Sequence, residues 1–257
     1  MEEHHEQPID ELIQARVEKL ERMRELGRDP FAVERYERSA RVGESEFEPF
    51  STDVIAAYEA NQSEDSPEVS VSLAGRVVSL RLMGKAAFVH IQDRKGKIQV
   101  YLKSDDLGDE YEMVKLLDLG DFIGVKGYIF RTRTGEVSVH AKGIEVLSKS
   151  IRPIPFGKEK GAQHWYGLQD VEQRYRQRYV DLVTNQESRR AFENRSRIIR
   201  AVREYYDSRG YLEVETPVLQ SVAGGAAARP FLTYHNALEH EFHLRISLDL
   251  FLKRLFV

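Results

Sequence analysis

Aromatic, amide and cationic side chains recur two residues apart in the middle of the sequence, which is the spacing that places side chains on one face of a β-strand. Phe88 and His90 form one such pair, Gln99 and Tyr101 form another, and Arg81 lies shortly before them. Aromatic rings stack on unpaired bases, and side-chain amides hydrogen-bond to their Watson–Crick edges. The five residues indicate a surface for unpaired nucleic acid. A core position for Phe88 and a solvated Arg81 are the alternative interpretation.

A run of small residues at 223–228, with Gly224 and Gly225 at its centre, is the second candidate site. Small residues let a ligand approach the backbone closely, and Arg229 adds a cation at the end of the run. The run has neither the spacing of a phosphate-binding P-loop nor a following Lys-Ser or Lys-Thr. By itself it is weak evidence for a site.

The third segment, 203–217, has the pattern of a long helix that ends at Gly210 and is followed by a short strand, which Pro217 breaks. The preceding stretch, 171–206, is predicted to be helical. The sequence from Arg174 to Arg209 contains ten arginines and five acidic residues. This density permits phosphate binding or ion pairs within the chain.

The elements that must position the first set of residues form a predicted β-barrel. Strands are expected at 69–78, 87–92, 97–102, 122–130 and 137–147, with a helix at 110–117. Five short strands with a helix after the third is the order of an OB-fold, which binds oligonucleotides on one face. A small SH3-like barrel is the alternative, but it does not explain the helix.

The N-terminal part is predicted to be an amphipathic helix at 9–26 and a polar connector at 34–67 that contains one short helix at 53–60. The cations of the first helix face either nucleic acid or solvent: Arg16, Lys19, Arg22 and Arg24. A Pro- and Gly-rich stretch after Ser150 is predicted to be a linker.

Composition narrows the class of protein. The 257 residues are 41% hydrophobic and 31% charged, with a net charge of −4. There is no cysteine, which excludes disulfides, thiol catalysis and cysteine-ligated zinc. No apolar run approaches the roughly 18 residues of a membrane span. We therefore expect a cytoplasmic protein without a membrane partner.

Taken together and in this order, the segments resemble the class II lysyl-tRNA synthetases. The resemblance runs from about residue 69 to the end of the sequence. The matching stretches are 81–88, 97–99, 131–136, 175–182, 210–217 and 224–231. One combination is specific to the lysyl-tRNA synthetases: Tyr-Arg-Gln-Arg-Tyr followed by a Gly-Gly-Ala loop. Aspartyl and asparaginyl synthetases share the architecture but not that combination.

The resemblance implies an α+β chain with an OB-fold β-barrel that binds the anticodon, followed by the truncated start of a class II antiparallel-sheet catalytic domain. The implied domains are a helical extension and connector (1–67), the OB-fold (68–150), a linker (151–167) and the catalytic part (168–257). In the barrel, Phe88 is expected to stack on an anticodon base. Arg81, Gln99 and Glu136 are expected to hydrogen-bond to bases.

The resemblance also implies roles in the second half of the chain. Gly210, Tyr211 and Pro217 correspond to motif 1, which forms the interface of a homodimer. Gly225 and Ala226 would line the pocket for lysine. Asp249 stands where the family usually has a glutamate that binds the amino acid, so its carboxylate is one methylene shorter. A linker at 156–163 that is longer than usual is a second departure.

The implied function of the complete protein is that of a lysine–tRNA ligase, which activates lysine with ATP and Mg2+ and transfers it to the 3′ end of tRNA(Lys). The ATP-binding motifs 2 and 3 are not in this sequence. We therefore expect no catalytic residue or metal ligand here, no bound ATP or Mg2+, and no lysine activation by this chain alone.

Two other functions are compatible with parts of the sequence. One is a non-catalytic OB-fold protein that binds RNA or tRNA. The other is a lysyltransferase that modifies a translation factor, which is disfavoured because such relatives lack the barrel. The amphipathic pattern at 248–256 is still periodic at Val257, and we expect the natural protein to continue beyond it.

Overall fold

The computed structural model describes residues 9–61, 68–160, 163–165 and 167–256. Contacts divide the chain into two units, Met1–Gln186 and Glu187–Val257, and each is treated by itself. None of the described helices is both long enough and apolar enough to span a bilayer.

Two helices and a β-hairpin begin the first unit. They are α1 (Ile9–Glu25), β1 (Ser39–Val42), β2 (Ser45–Phe47) and α2 (Ser51–Ala60). The predicted helices at 9–26 and 53–60 are confirmed. α1 buries Leu20 and Met23, and Met23 belongs to the hydrophobic core of the unit.

The barrel follows, and its strands and helices are in the predicted order. They are β3 (Val69–Met83), β4 (Ala86–Gln92), β5 (Lys97–Lys103), α3 (Ser104–Leu107), α4 (Tyr111–Lys115), β6 (Phe122–Arg131) and β7 (Val137–Ser148). The strand order is β3-β4-β5-β7-β6, and β6 also pairs with β3, which closes the barrel. A closed five-stranded barrel with helices after the third strand is the OB-fold, and this prediction is confirmed.

Alternation of side chains separates the core of the barrel from its outer face. Along β4 and β5, buried residues alternate with half-buried ones. Val89 and Val100 are directly opposite each other and fully buried. Their neighbours, including Phe88 and Tyr101, therefore point to the outer face.

The prediction that 34–67 is only a connector with one helix is wrong. β1 and β2 form a hairpin, and β1 pairs antiparallel with β3, so the hairpin extends the barrel sheet. The pattern is weak because both strands have only three or four residues. The turn between them contains Gly43, whose φ of 59° suits a two-residue hairpin turn.

A hydrogen bond and an ion pair attach α1 to the base of the barrel. Arg16 donates to the carbonyl oxygen of Ser150 at 2.6 Å, and Lys19 lies 2.6 Å from Asp118. These two cations therefore contact the barrel, a partner that the two interpretations from the sequence, nucleic acid and solvent, do not include. Lys149, whose side chain is fully buried, binds both Asp118 and Asp121.

The basic stretch at 171–206 is helical as predicted, and the structure divides it into three helices. Here the chain forms β8 (Lys158–Lys160), β9 (Gln163–Trp165), α5 (Val171–Arg176), α6 (Arg178–Thr184) and α7 (Gln186–Asp207). Gln177 and Asn185 have non-helical backbone angles and separate the three helices. Asp181 is fully buried and accepts a hydrogen bond from Arg174 at 2.8 Å. That ion pair across the break stabilises the bend.

The second unit contains a small antiparallel sheet. After α7 come β10 (Leu219–Gln220), β11 (Leu232–His235), β12 (His240–Leu244) and α8 (Asp249–Arg254), and the strand order is β10-β12-β11. The short strand predicted directly after Gly210 is wrong, because 211–217 is irregular. Among the described residues no strand pairs with this segment, so its backbone has no ladder to join.

Candidate nucleic-acid interface

Two rows of side chains cross the outer face of the barrel from strand to strand. The aromatic row joins residues that are directly opposite one another on β3, β4, β5, β7 and β6: Arg81, Phe88, Tyr101, His140 and Tyr128. The polar row lies two residues further along each strand: Ser79, His90, Gln99, Ser138 and Phe130. Strand pairing therefore places the five residues of the first candidate site on one continuous surface.

Ring contacts connect the aromatic row. The ring centroids of Phe88 and Tyr101 are 5.0 Å apart, and those of Tyr101 and His140 are 5.3 Å apart in an edge-on arrangement. His140 stacks on Tyr128 with the centroids 4.9 Å apart. Aromatic pairs at these separations stabilise one another beyond the area they bury. Phe88 is half-buried and thus retains exposed ring surface in a fixed position.

Glu136 joins the polar row from the loop between β6 and β7. Its carboxylate accepts a hydrogen bond from the Gln99 amide nitrogen at 2.7 Å. The other oxygen is 2.9 Å from Nε2 of His90. The Gln99 amide oxygen accepts a bond from the Ser138 hydroxyl at 2.9 Å. Gln99 and Glu136, predicted from separate stretches of the sequence, are therefore in direct contact.

Arg81 stands at the open end of the aromatic row. Its side chain is exposed and forms no ion pair with any residue that the structure describes. An unpaired guanidinium beside an aromatic ring is available to a phosphate or to a base edge. Arg81 and Phe88, both expected to contact anticodon bases, are directly opposite each other on β3 and β4.

The far end of the aromatic row is held by an acidic residue of α3. Asp106 accepts a hydrogen bond from His140 at 2.8 Å and another from Lys142. These bonds, first that of Lys142 and then that of His140, lower the pKa of Asp106 to about 2. The other imidazole nitrogen of His140 is 3.0 Å from the Tyr128 hydroxyl. Asp106 thus fixes the orientation of both rings.

The glycine-rich loop of the second unit lies against the segment that precedes α8. A Cβ added to Gly225 would approach the Ser247 side chain to within 2.8 Å, and one added to Gly224 would be 2.9 Å from Leu250. Gly225 also has a φ of 94°, which L-residues rarely adopt. The loop that contains Ala226 and the segment that contains Asp249 are therefore close together. Asp249 is exposed and is the first residue of α8.

The residues expected to correspond to motif 1 lie at and beyond the end of α7. Gly210 has a φ of 77° and ends the helix. The Tyr211 ring packs edge-on against Tyr206, with the centroids 5.3 Å apart, yet 64% of Tyr211 remains exposed. Pro217 is exposed as well.

No group of three or more histidine, aspartate and glutamate side chains placed to hold a metal occurs in the described part of the chain.

Sequence reasoning missed His140, Tyr128, Phe130 and Ser138 as members of this face. Ser138 and His140 have the same two-residue spacing as the residues it found. The missing information was the parallel pairing of β5 with β7, which joins strands distant in sequence. Register of that kind has no local signal.

Comparisons with known proteins agree with this architecture. Residues 71–147 match the family model described as an OB-fold nucleic acid binding domain, and residues 170–257 match that of class II tRNA synthetases (D, K and N). Proteins named lysine--tRNA ligase from Bacillus cereus (strain B4264), Bacillus thuringiensis (strain Al Hakam) and Bacillus anthracis are each 48% identical across 98% of this chain. The chain spans about half the length of these relatives, 48% in each case. The chain is therefore similar over nearly its whole length to proteins named lysine--tRNA ligase, and its residues 170–257 match the class II tRNA synthetases.

Proposed function

We propose that the outer face of the barrel reads the anticodon of tRNA(Lys) for a lysine–tRNA ligase. The observation that supports this most is that the aromatic row and the polar row lie side by side on one face of the barrel. A half-buried ring, Phe88, lies two residues from His90, which is directly opposite Gln99. One unpaired base thus has a stacking surface and hydrogen-bonding groups at a single place.

The chemistry of the face suits an unpaired base better than a duplex. Gln99 uses its amide oxygen and one N–H within the protein, which leaves one N–H for a base. Glu136 accepts from a donor on the base edge with its remaining lone pairs. Arg81 supplies a positive charge next to the ring. Such groups read Watson–Crick edges that only single-stranded loops expose.

The second half of the chain supplies part of a lysine site and of a dimer interface in this proposal. The loop backbone at Gly225 and Ala226 and the carboxylate of Asp249 bind the amino acid. The exposed surface around Gly210, Tyr211 and Pro217 pairs with a second copy to form the homodimer. The domain limits predicted above, 68–150 and 168–257, and a cytoplasmic location belong to the same proposal.

In the complete enzyme, ATP is a substrate and Mg2+ is a cofactor. Motifs 2 and 3, which hold them in the family, are not in the 257 residues. This chain by itself therefore does not activate lysine, and its own activity is RNA binding. A protein that never catalyses and only binds RNA is the second candidate, because the barrel face would serve both.

Substitution of Phe88 by alanine tests the stacking role. We expect Phe88→Ala to weaken binding of the anticodon stem-loop of tRNA(Lys) by about 1–3 kcal/mol, the usual effect of removing one stacked base contact. The matched control is Phe122→Ala, which removes an exposed ring at the start of β6, outside both rows. Fluorescence titration measures both variants. If Phe88→Ala binds as tightly as the unchanged chain while its far-UV spectrum is preserved, the proposed stacking is wrong.

A further inference from the structure

His90 and Ser138 each bind a group that is expected to hydrogen-bond to a base. His90 binds Glu136, and Ser138 binds Gln99. Ser138 is fully buried, so its hydroxyl faces protein and not solvent. The two residues lie on either side of Gln99 in the polar row.

Glu136 determines which way the Gln99 amide points, and Ser138 holds the other end of that amide. A carboxylate only accepts hydrogen bonds, so the group that faces Glu136 must be the amide nitrogen. The amide oxygen is then turned to the Ser138 hydroxyl, which donates to it at 2.9 Å. A rotated amide would turn its oxygen to the carboxylate and lose that bond, whereas the Ser138 hydroxyl can also accept from the amide nitrogen while it donates to the Glu136 carbonyl oxygen. The amide is therefore fixed before any ligand arrives.

His90 performs the same task for Glu136. This residue lies at the end of a hairpin loop, and 45% of its side chain is exposed. A glutamate in such a place ordinarily samples several rotamers, and ordering it on binding costs free energy. Because the carboxylate only accepts, Nε2 of His90 carries the proton and donates. Bonds from His90 on β4 and Gln99 on β5 hold one oxygen each.

We propose that His90 and Ser138 are positioning residues for base recognition: they fix the Glu136 carboxylate and the Gln99 amide so that a base stacked on Phe88 meets one acceptor and one N–H donor in a set arrangement. This inference rests on the proposed function of the barrel face. Ser138 is fully buried, and His90 acts here through Glu136.

A double-mutant cycle tests this mechanism in the full 257-residue chain. The probe is the anticodon stem-loop of tRNA(Lys), measured with its cognate sequence and with single-base substitutions. His90→Ala should weaken cognate binding about fivefold, the effect of one lost hydrogen bond. In the Glu136→Ala background the same change should have less than about a twofold effect, because its target is gone. Ser138→Ala and Gln99→Ala form the corresponding second cycle.

Rescue by a conservative variant separates positioning from a merely structural role. The amide nitrogen of glutamine lies three bonds from Cβ, as Nε2 of histidine does, so His90→Gln keeps a donor at nearly the same reach. We expect His90→Gln to restore most of the cognate affinity. His90→Phe should not, since it fills space without a donor. Unfolding midpoints of all variants show whether the barrel is intact.

The outcomes distinguish this inference from the proposed function. If the effects of His90→Ala and Glu136→Ala multiply, or if His90→Phe binds as well as His90→Gln, the positioning role is wrong although the barrel still binds the loop. If Phe88→Ala also leaves binding unchanged, the proposed function fails and the inference fails with it. Loss of selectivity in Ser138→Ala, seen as a smaller difference between cognate and substituted loops, supports the inference.

Discussion

At the scale of single residues, the barrel face depends on a few side chains whose orientation is fixed by neighbours. Phe88 has its ring surface set by contact with Tyr101, and Gln99 has both ends of its amide occupied. A side chain already held in one orientation loses little conformational entropy when a base binds. Such a side chain favours discrimination between bases. The residues that touch a base and those that hold them are therefore both needed.

The aspartate behind the aromatic row gives the barrel a pH dependence. Its bonds to Lys142 and His140 lower the pKa of Asp106 to about 2, against 3.8 for an unperturbed group. A carboxylate whose pKa is lower in the folded than in the unfolded chain stabilises the folded state at pH values above the unfolded-chain pKa. This contribution is lost as the pH falls from about 4 towards 2. We expect Asp106→Asn to lower the unfolding temperature at pH 5 and to make little difference near pH 2.

Thermal unfolding followed by circular dichroism measures this prediction. The control is Asp109→Asn, an exposed carboxylate in the next turn, which should change the unfolding temperature little at any pH. An Asp106→Asn variant with the same deficit at pH 5 and near pH 2 would show that the carboxylate does not carry the effect.

Residue pattern alone predicted part of this site. Alternation along one strand revealed Phe88 with His90 and Gln99 with Tyr101, because a strand repeats every two residues. It did not reveal His140 or Ser138, since their place depends on the register of β7 against β5. The contacts of Glu136 were equally invisible, because it lies on a loop 37 positions from Gln99.

At the scale of elements, a buried charge cluster holds the base of the barrel and α1 together. Lys149 donates to Asp121 at 2.7 Å, and both side chains are fully buried. Burial would raise the pKa of Asp118, but hydrogen bonds from Lys149 and Lys19 bring it below its ordinary value. Since Lys19 lies on α1, the helix and the barrel share one ionic network.

Removal of the central lysine should unfold the barrel more readily. Lys149→Met keeps most of the stem but leaves Asp121 buried without its cation, and we expect a loss of about 3–5 kcal/mol in the free energy of unfolding. The control is Lys115→Met, whose partner Glu112 is exposed and whose loss should cost less than about 1 kcal/mol. Urea unfolding monitored by circular dichroism compares them. Equal stability of the two variants would contradict the role of the cluster.

Helix and strand prediction failed where tertiary contacts override local pattern. The arginine-rich stretch 171–206 is helical as predicted, but its pattern does not reveal the break at Gln177, which the Arg174–Asp181 pair spans. The hairpin of β1 and β2 was missed because its strands are short and are stabilised by pairing with β3. The barrel strands were found because each one has at least seven residues, and β4 and β5 alternate along their whole length.

At the scale of the whole molecule, the two units differ in how they bury apolar surface. The residues of the described hydrophobic core all lie between Met23 and Val146, in the barrel unit. Around the end of α7, Tyr205, Tyr206 and Tyr211 are each at least 49% exposed. An exposed apolar surface of this kind is typical of an interaction site, in agreement with the homodimer we propose.

The proposal predicts that the 257-residue chain does not activate lysine. Attack of a carboxylate on the α-phosphate of ATP develops negative charge, which needs cations placed around it. The motifs that supply them in the family are not in this sequence. ATP–pyrophosphate exchange with lysine should therefore equal the blank without enzyme, while a full-length relative serves as the positive control. Lysine-dependent exchange well above the blank would contradict the prediction.

The central claim is that the outer face of the barrel reads bases, and selectivity tests it most directly. The measurement is the dissociation constant of the 257-residue chain for the anticodon stem-loop of tRNA(Lys) and for the same loop with each anticodon base replaced, with and without Gln99→Ala. We predict that at least one replacement weakens binding about fivefold or more, and that Gln99→Ala reduces this difference more than it reduces overall affinity. Equal binding of all loops by the unchanged chain, or an equal loss on every loop in Gln99→Ala, would contradict base reading by this face.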